Sequence, residues 1–397
     1  MLWQKNRPID KETSIFNYKG IFKKELSIFQ AVALVVCGTV GAGVLGIPFA
    51  VSKVGLKMGI FYIIILGFLM MGLNLLLGYV AVKTKQEMQL VGLAKRYLGK
   101  KGEIFMTGIV YLMLFGTLLI YIIGAGDILS NLFGLNSFLW SLIFFIFASF
   151  FISKGLRDAK TIEFFVSLAI ITIILLIAYF SLPHLNWENI KYSNWTDILL
   201  PYGIILFAFH GTSTVPEAHA LLKNRDADFK KVIIYSGLIV MILYLLFTFV
   251  VIGVTGNNTT QIATIGLGSK VGESMYLFGN IFALLAMFSS FIMAGLALKD
   301  SLVWDYKLKE KRTNIIVLAL PLLLFLLGFR DFTKAIDLVG GIFISLEMFM
   351  ILFIYWRAAN EKKEIVCKYN LHHTLFLIMA LILMLLVGTV YSVLNIF

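Results

Sequence analysis

The stretch Cys37-Gly38-Thr39-Val40-Gly41-Ala42-Gly43-Val44-Leu45-Gly46-Ile47-Pro48 constrains this chain more than any other. It lies inside an apolar run from Ala31 to Val54 that is long enough to cross a bilayer. Yet glycine and proline, the poorest helix formers, interrupt it repeatedly. In hydrocarbon an unwound backbone has no water to bond. It persists only where protein buries it or where it lines a water-filled cavity. One reading is therefore two half-helices whose free ends point at a ligand. The other is an intact helix packed closely through small residues.

The rest of the chain makes a membrane setting necessary. Of 397 residues 60% are hydrophobic and only 14% charged, and the mean hydropathy is +0.92, well above ordinary soluble domains. The net charge of +12 would point to nucleic acid only if the basic residues formed one face. They are scattered between apolar runs, so a nucleic-acid partner is not expected. Cys37 and Cys367 have no disulfide or metal spacing. Residues 1–27 read as a polar cytoplasmic tail rather than a cleavable signal.

Apolar runs of spanning length give an all-α polytopic protein of eleven spans. They cover 31–54, 59–82, 104–130, 136–153, 161–182, 197–222, 232–255, 272–298, 314–329, 333–356 and 374–396. Connections are short, so 28–397 is expected to be one transmembrane domain. With the N-terminus inside, only Lys53, Lys57, Lys191, Lys270, Arg330 and Lys334, six of the 34 Lys and Arg residues, fall outside. That asymmetry places the N-terminus in the cytoplasm and the C-terminus outside. Span 6 breaks as span 1 does, at Phe207-Ala208-Phe209-His210-Gly211-Thr212-Ser213-Thr214-Val215-Pro216-Glu217. Interruptions at matching places in two halves point to an inverted-repeat transporter. Repeat 1 would cover about 31–182 and repeat 2 about 197–356, with span 11 added.

At this point the residues resemble a known family. Gly38 to Ala50 is similar to the first-span signature of the amino acid/auxin permease family, within the amino acid–polyamine–organocation superfamily. Tyr121-Ile122-Ile123-Gly124-Ala125-Gly126-Asp127 resembles that family's third span, and Phe207 to Gly211 the superfamily's sixth-span break. The resemblance covers nearly the whole chain. It implies an α-amino acid carrier with a five-plus-five inverted repeat and alternating access.

An α-amino acid presents a carboxylate and an ammonium. Backbone N–H groups at Gly41, Ala42 and Gly43, at the positive end of a half-helix, suit the carboxylate. A bulky residue at Gly43 is accordingly expected to abolish binding in a folded protein. The ammonium needs acceptors, and carbonyls of Gly38, Thr39, Phe207, Ala208 and His210 supply them. The substrate side chain would meet Phe207, Phe209, Thr212 and the facing Thr117 or Tyr121, a lining for a neutral amino acid with room for a bulky or aromatic one.

For a coupling ion, Ala286, Ser289 and Ser290 of span 8 resemble the sodium site of bacterial sodium-coupled relatives. Carbonyls of Cys37 and Val40 would complete an oxygen cage. Against sodium, the family's sodium-coupled carriers have an asparagine where Cys37 stands, and serines often bond only their own helix. Protons are the alternative, through His210, Glu217 or Glu347, three titratable residues inside spans. Each of them can equally be a structural anchor.

Other classes fit less well. Gly124-Ala125-Gly126-Asp127 matches the GxGD of intramembrane aspartyl proteases, but the second carboxylate that such chemistry needs has no Tyr-Asp or Phe-Asp match. A channel would need a selectivity segment or charge ring. A non-transporting receptor of the same fold stays open, although the short tail favours a carrier. A monomer in a prokaryotic plasma membrane is expected.

Overall fold

The computed structural model describes residues 26–84, 86–154, 159–195, 197–222, 226–304, 308–361, 371 and 374–396. Cys367, the tail up to residue 25 and parts of the basic loops lie outside them. The described chain is helical. In order it forms α1 (Ile28–Thr39), a 3-10 segment (Ala42–Gly46), α2 (Ile47–Val54), α3 (Leu56–Thr84), α4 (Leu90–Phe133), α5 (Ser137–Lys154) and α6 (Ala159–Ser181). Then come α7 (Trp187–Lys191), α8 (Pro201–Phe209), α9 (Thr214–Leu221), α10 (Asp226–Thr255), α11 (Ala263–Val271) and α12 (Glu273–Trp304). The last are α13 (Glu310–Leu326), α14 (Phe332–Asp337), a π segment (Leu338–Ile344), α15 (Ser345–Ala359) and α16 (Thr374–Ile396).

Among the described residues eight helices are long and apolar enough to cross a membrane, or nine if the bent pair Ile28–Thr39 and Ala42–Val54 is one span. The two further spans expected from the sequence take other forms. Span 6 is split into α8 and α9, of nine and eight residues. Span 9 is the 17-residue α13, with Pro321 inside it. Three features went unforeseen. Gly99, with φ of 75°, kinks α4 and separates a short leading helix from the apolar part. An extra helix, α11, precedes α12. Seven residues within the tenth apolar run, directly after α14, wind as a π-helix, a form concentrated at functional sites.

Both sequence breaks are real. α1 opens on a capping box: the Ser27 hydroxyl accepts from the Gln30 N–H, and Gln30 Oε1 accepts from the Ser27 N–H. It ends where Val40 and Gly41 turn extended, and α1 and the helix beyond are bent by 49°. Pro48 sits in the first turn of α2, where its missing N–H would have no helical partner anyway. α8 ends at the extended His210, and Pro216 occupies the first turn of α9 in the same way.

The helices fall into two groups. α1, α2, α3, α8, α9 and α10 pack on one another, and α4, α5, α12 and α13 form a second set. α6 touches both groups, as does the unit of α14, the π segment and α15, while α16 lies outermost against that unit. Large apolar side chains such as Phe61, Phe105, Ile146, Tyr179 and Leu386 face outward, more than half exposed. Such a surface suits lipid and not water.

Two buried lysines close helix ends. Lys83 of α3 donates to Ala358 O at 2.5 Å and Glu361 O at 3.2 Å, at the C-terminus of α15. Lys299 of α12 donates to Ile152 O and Ser153 O, both at 3.2 Å, at the end of α5. A cation there meets unpaired carbonyls and the negative end of the helix dipole. Lys83→Met is expected to destabilise the protein by about 1–3 kcal/mol, the cost of leaving such carbonyls unpaired. A lowered melting temperature of the detergent-purified variant checks this; an unchanged one would show that the cap is dispensable.

Candidate functional site

The two breaks interlock antiparallel. A side chain on Gly38 would strike the Thr214 methyl group, and one on Gly211 would strike the Thr39 hydroxyl. A Cβ on Gly43 would lie 2.9 Å from Ala208 Cα and 3.2 Å from the Phe207 ring. The glycines thus serve both readings left open by the sequence: the helix is broken, and the broken stretch is packed tightly against its counterpart. Gly43 is therefore a close-packing position as well as a candidate ligand contact. A larger residue there wedges the breaks apart, so lost binding would come with lost stability.

Carbonyls freed at the breaks turn to one point. The Tyr244 hydroxyl of α10 donates to Ala208 O at 2.7 Å and is 3.3 Å from Thr39 O. Tyr244 is fully buried, and its ring meets Phe209 edge-on at 4.9 Å. Nearby, the Ser167 hydroxyl of α6 donates to Cys37 O at 3.2 Å. Thr39 and Ala208, named from the sequence as ammonium acceptors, are therefore brought together. The tyrosine that joins them was not foreseen.

The expected lining is only partly assembled. Phe207 packs toward Gly43 and the π segment. Phe209 departs from expectation: its ring turns among α3 and α10, toward Gly67, Met241 and Tyr244, beside a small cavity that Thr39, Asn74 and Ser236 help to line. Thr117 is half-buried and its hydroxyl donates to Met113 O of its own helix. The buried Tyr121 has its hydroxyl within hydrogen-bonding reach of Ser290 on α12.

Of the expected sodium ligands, Ser290 faces the first break, where a Cβ on Gly41 would lie 3.3 Å from its hydroxyl oxygen. Ala286 is buried and Ser289 half-buried on the same helix. The donor set is oxygen, which fits a hard cation, although Cys37 O already accepts from Ser167. Among the described residues no group of His, Cys, Asp and Glu is arranged to hold a metal.

Two of the three proton candidates meet. Glu347 of α15 is wholly buried, and His210 Nε2 lies 3.2 Å from each of its carboxylate oxygens. The Thr212 hydroxyl donates to the same carboxylate and lies 3.1 Å from His210 Nε2. His210 and Thr212 were expected beside the substrate; their side chains instead anchor the unwound residues of the second break to α15. Glu217, the third, is buried in the first turn of α9. A further buried acid, Asp337, accepts from Ser392 of α16 at 3.0 Å where α14 runs into the π segment. An aspartate at the head of an apolar run was its only sequence signal.

The geometry defines a class: a helical membrane protein built around two facing helix breaks. The sequence profile of the tryptophan/tyrosine permease family matches residues 24–392, and the chain belongs to that family, whose members are amino acid transporters and not enzymes. It is 27% identical over 360 residues to glutamine transporter 2 of Aliivibrio fischeri, covering 86% of this chain and 91% of the relative. It is 26% identical over 357 residues to tyrosine-specific transport system 1 of Haemophilus influenzae, covering 82% and 87%. Its fold is shared with the crystal structure of MhsT in complex with L-phenylalanine (TM-score 0.69, 13% identity, 94% of this chain and 99% of that one). The inward-facing conformation of Mhp1 is similar too (TM-score 0.65, 14% identity, 93% and 90%). The sequence resemblance had pointed to amino acid carriers, and that level of the assignment holds.

Gly43→Ala is expected to lower thermal stability whether or not an amino acid is added, by roughly 1–3 kcal/mol for an overpacked contact. Unfolding of the purified variant checks this. A variant as stable as the parent would return Gly43 to the role of ligand contact alone.

Proposed function

We propose that this protein is a secondary active transporter for a neutral L-amino acid, working as a monomer by alternating access. The observation that carries the reading is the convergence of Thr39 O and Ala208 O, one from each break, on a single hydroxyl-sized point. An ammonium needs several acceptors converging in this way. The first-turn N–H groups at Gly41, Ala42 and Gly43 would take the carboxylate. Phe207, Thr117 and Tyr121 carry no charge, which favours a neutral side chain. The relatives named for glutamine and tyrosine, and the phenylalanine complex of MhsT, support that class.

In this reading α8 with α9 forms one traverse and α13 another, giving eleven. Repeats of five and five are followed by α16, with the N-terminus in the cytoplasm and the C-terminus outside a prokaryotic plasma membrane. The carrier turns about the interlocked breaks, exposing the substrate first to one side and then to the other.

Coupling is to sodium, held by carbonyls of Cys37, Val40 and Ala286 and the hydroxyls of Ser289 and Ser290. The nearness of Gly41 to Ser290 supports this. One observation favours protons instead: Glu347, buried with His210 and Thr212, ties a titratable pair directly to the second break. Uptake by proteoliposomes separates the two. With sodium coupling, an inward sodium gradient drives accumulation, and Ser289→Ala with Ser290→Ala reduces that stimulation at least tenfold. A pH gradient that drives uptake without sodium, lost in Glu347→Gln and kept in the serine variant, would overturn it in favour of protons.

A further inference from the structure

We propose that the Tyr244 hydroxyl is a positioning group that takes the place of the substrate ammonium on the break carbonyls during the unloaded half of the transport cycle; the proposal rests on the carrier reading above. Carbonyls at the ends of α1 and α8 are left over by the breaks, because the last residues of a helix have no intrahelical donor. At membrane depth they cannot turn to lipid. Val36 O and Phe207 O are satisfied locally, by the N–H groups of Val40 and His210. Thr39 O and Ala208 O receive the Tyr244 hydroxyl.

A phenol has one hydrogen, so it serves one carbonyl fully and leaves the other only weakly bonded. The 2.7 Å and 3.3 Å separations have that asymmetry. An ammonium brings three donors and can satisfy both carbonyls at once, with the phenol oxygen as a third acceptor. Substrate binding then needs no water: the phenol oxygen accepts from the ammonium while its own hydrogen stays on Ala208 O, whose second lone pair takes an ammonium hydrogen. Without the hydroxyl, a carrier that has released its amino acid must carry two buried, unpaired carbonyls through the return step. The loaded carrier has the ammonium and is spared this. The burial of Tyr244 and its edge contact with Phe209 hold the phenol where this exchange takes place.

The test is Tyr244→Phe, which keeps the ring and removes only the hydroxyl. Net uptake into proteoliposomes free of amino acid needs the unloaded return; exchange into preloaded proteoliposomes does not. Tyr244→Phe is expected to slow net uptake at least tenfold and to leave exchange within about threefold of the parent, and preserved exchange also reports a folded protein. Tyr244→His, which keeps a ring N–H, is expected to narrow the gap between the two modes. It serves as the deciding variant if the phenylalanine form does not accumulate, and a gap of tenfold or more in it would then count against the proposal. Equal slowing of both modes, or no slowing of either, would overturn the proposal and leave the carrier reading intact. A parent protein that neither accumulates nor exchanges any amino acid would overturn the carrier reading, and this proposal with it.

Discussion

A peptide group at membrane depth must find its partner inside the protein, and the architecture around the two breaks follows from that. Unwinding α1 at Val40 and α8 at His210 releases carbonyls that an unbroken helix would have paired. The answers come from side chains on other helices: Ser167 for Cys37 O, and Tyr244 for Ala208 O and Thr39 O. On the far side of each break a proline occupies the first turn, where no donor is needed. The Thr214 hydroxyl donates to Gly211 O at 2.7 Å and closes the second break locally. The glycines then let the two irregular stretches lie against each other, so that each shields the other from lipid.

Charge in the interior obeys the same rule. Lys83 and Lys299 are buried only where each meets two carbonyls at a helix end. Glu347 is buried only with His210 and Thr212 against it. The lysine caps also brace different parts of the molecule. Lys299 ties α12 to α5 within one packed group, and Lys83 ties α3 to the end of α15.

How much of this the sequence carries depends on how locally each feature is encoded. Both breaks were legible because Gly and Pro act on their own backbone, whatever surrounds them. The meeting of His210 with Glu347 was not, since 137 positions separate them along the chain. Each was singled out alone, as a polar residue in an apolar run. Tyr244 gave no signal: in a long apolar helix a tyrosine reads as one more packed aromatic, and its meaning lies in the carbonyls opposite. Phe209 was assigned to the substrate because it adjoins the break, but two residues beyond Phe207 on α8 it faces Gly67 and Tyr244 instead. The π segment escaped notice because Leu338 to Ile344 is as apolar as any α-helical span.

The central claim is that the converging break carbonyls receive an amino acid. The most direct measurement is thermal stabilisation of the purified protein by each of the twenty amino acids, in sodium and then in potassium. A ligand that binds the folded state raises apparent stability, by about 2.7 kcal/mol at a hundred times its dissociation constant. Stabilisation by a few neutral amino acids, and only in sodium, is the predicted result. Stabilisation that ignores sodium would contradict the ion assignment, and no stabilisation by any amino acid would contradict the claim itself.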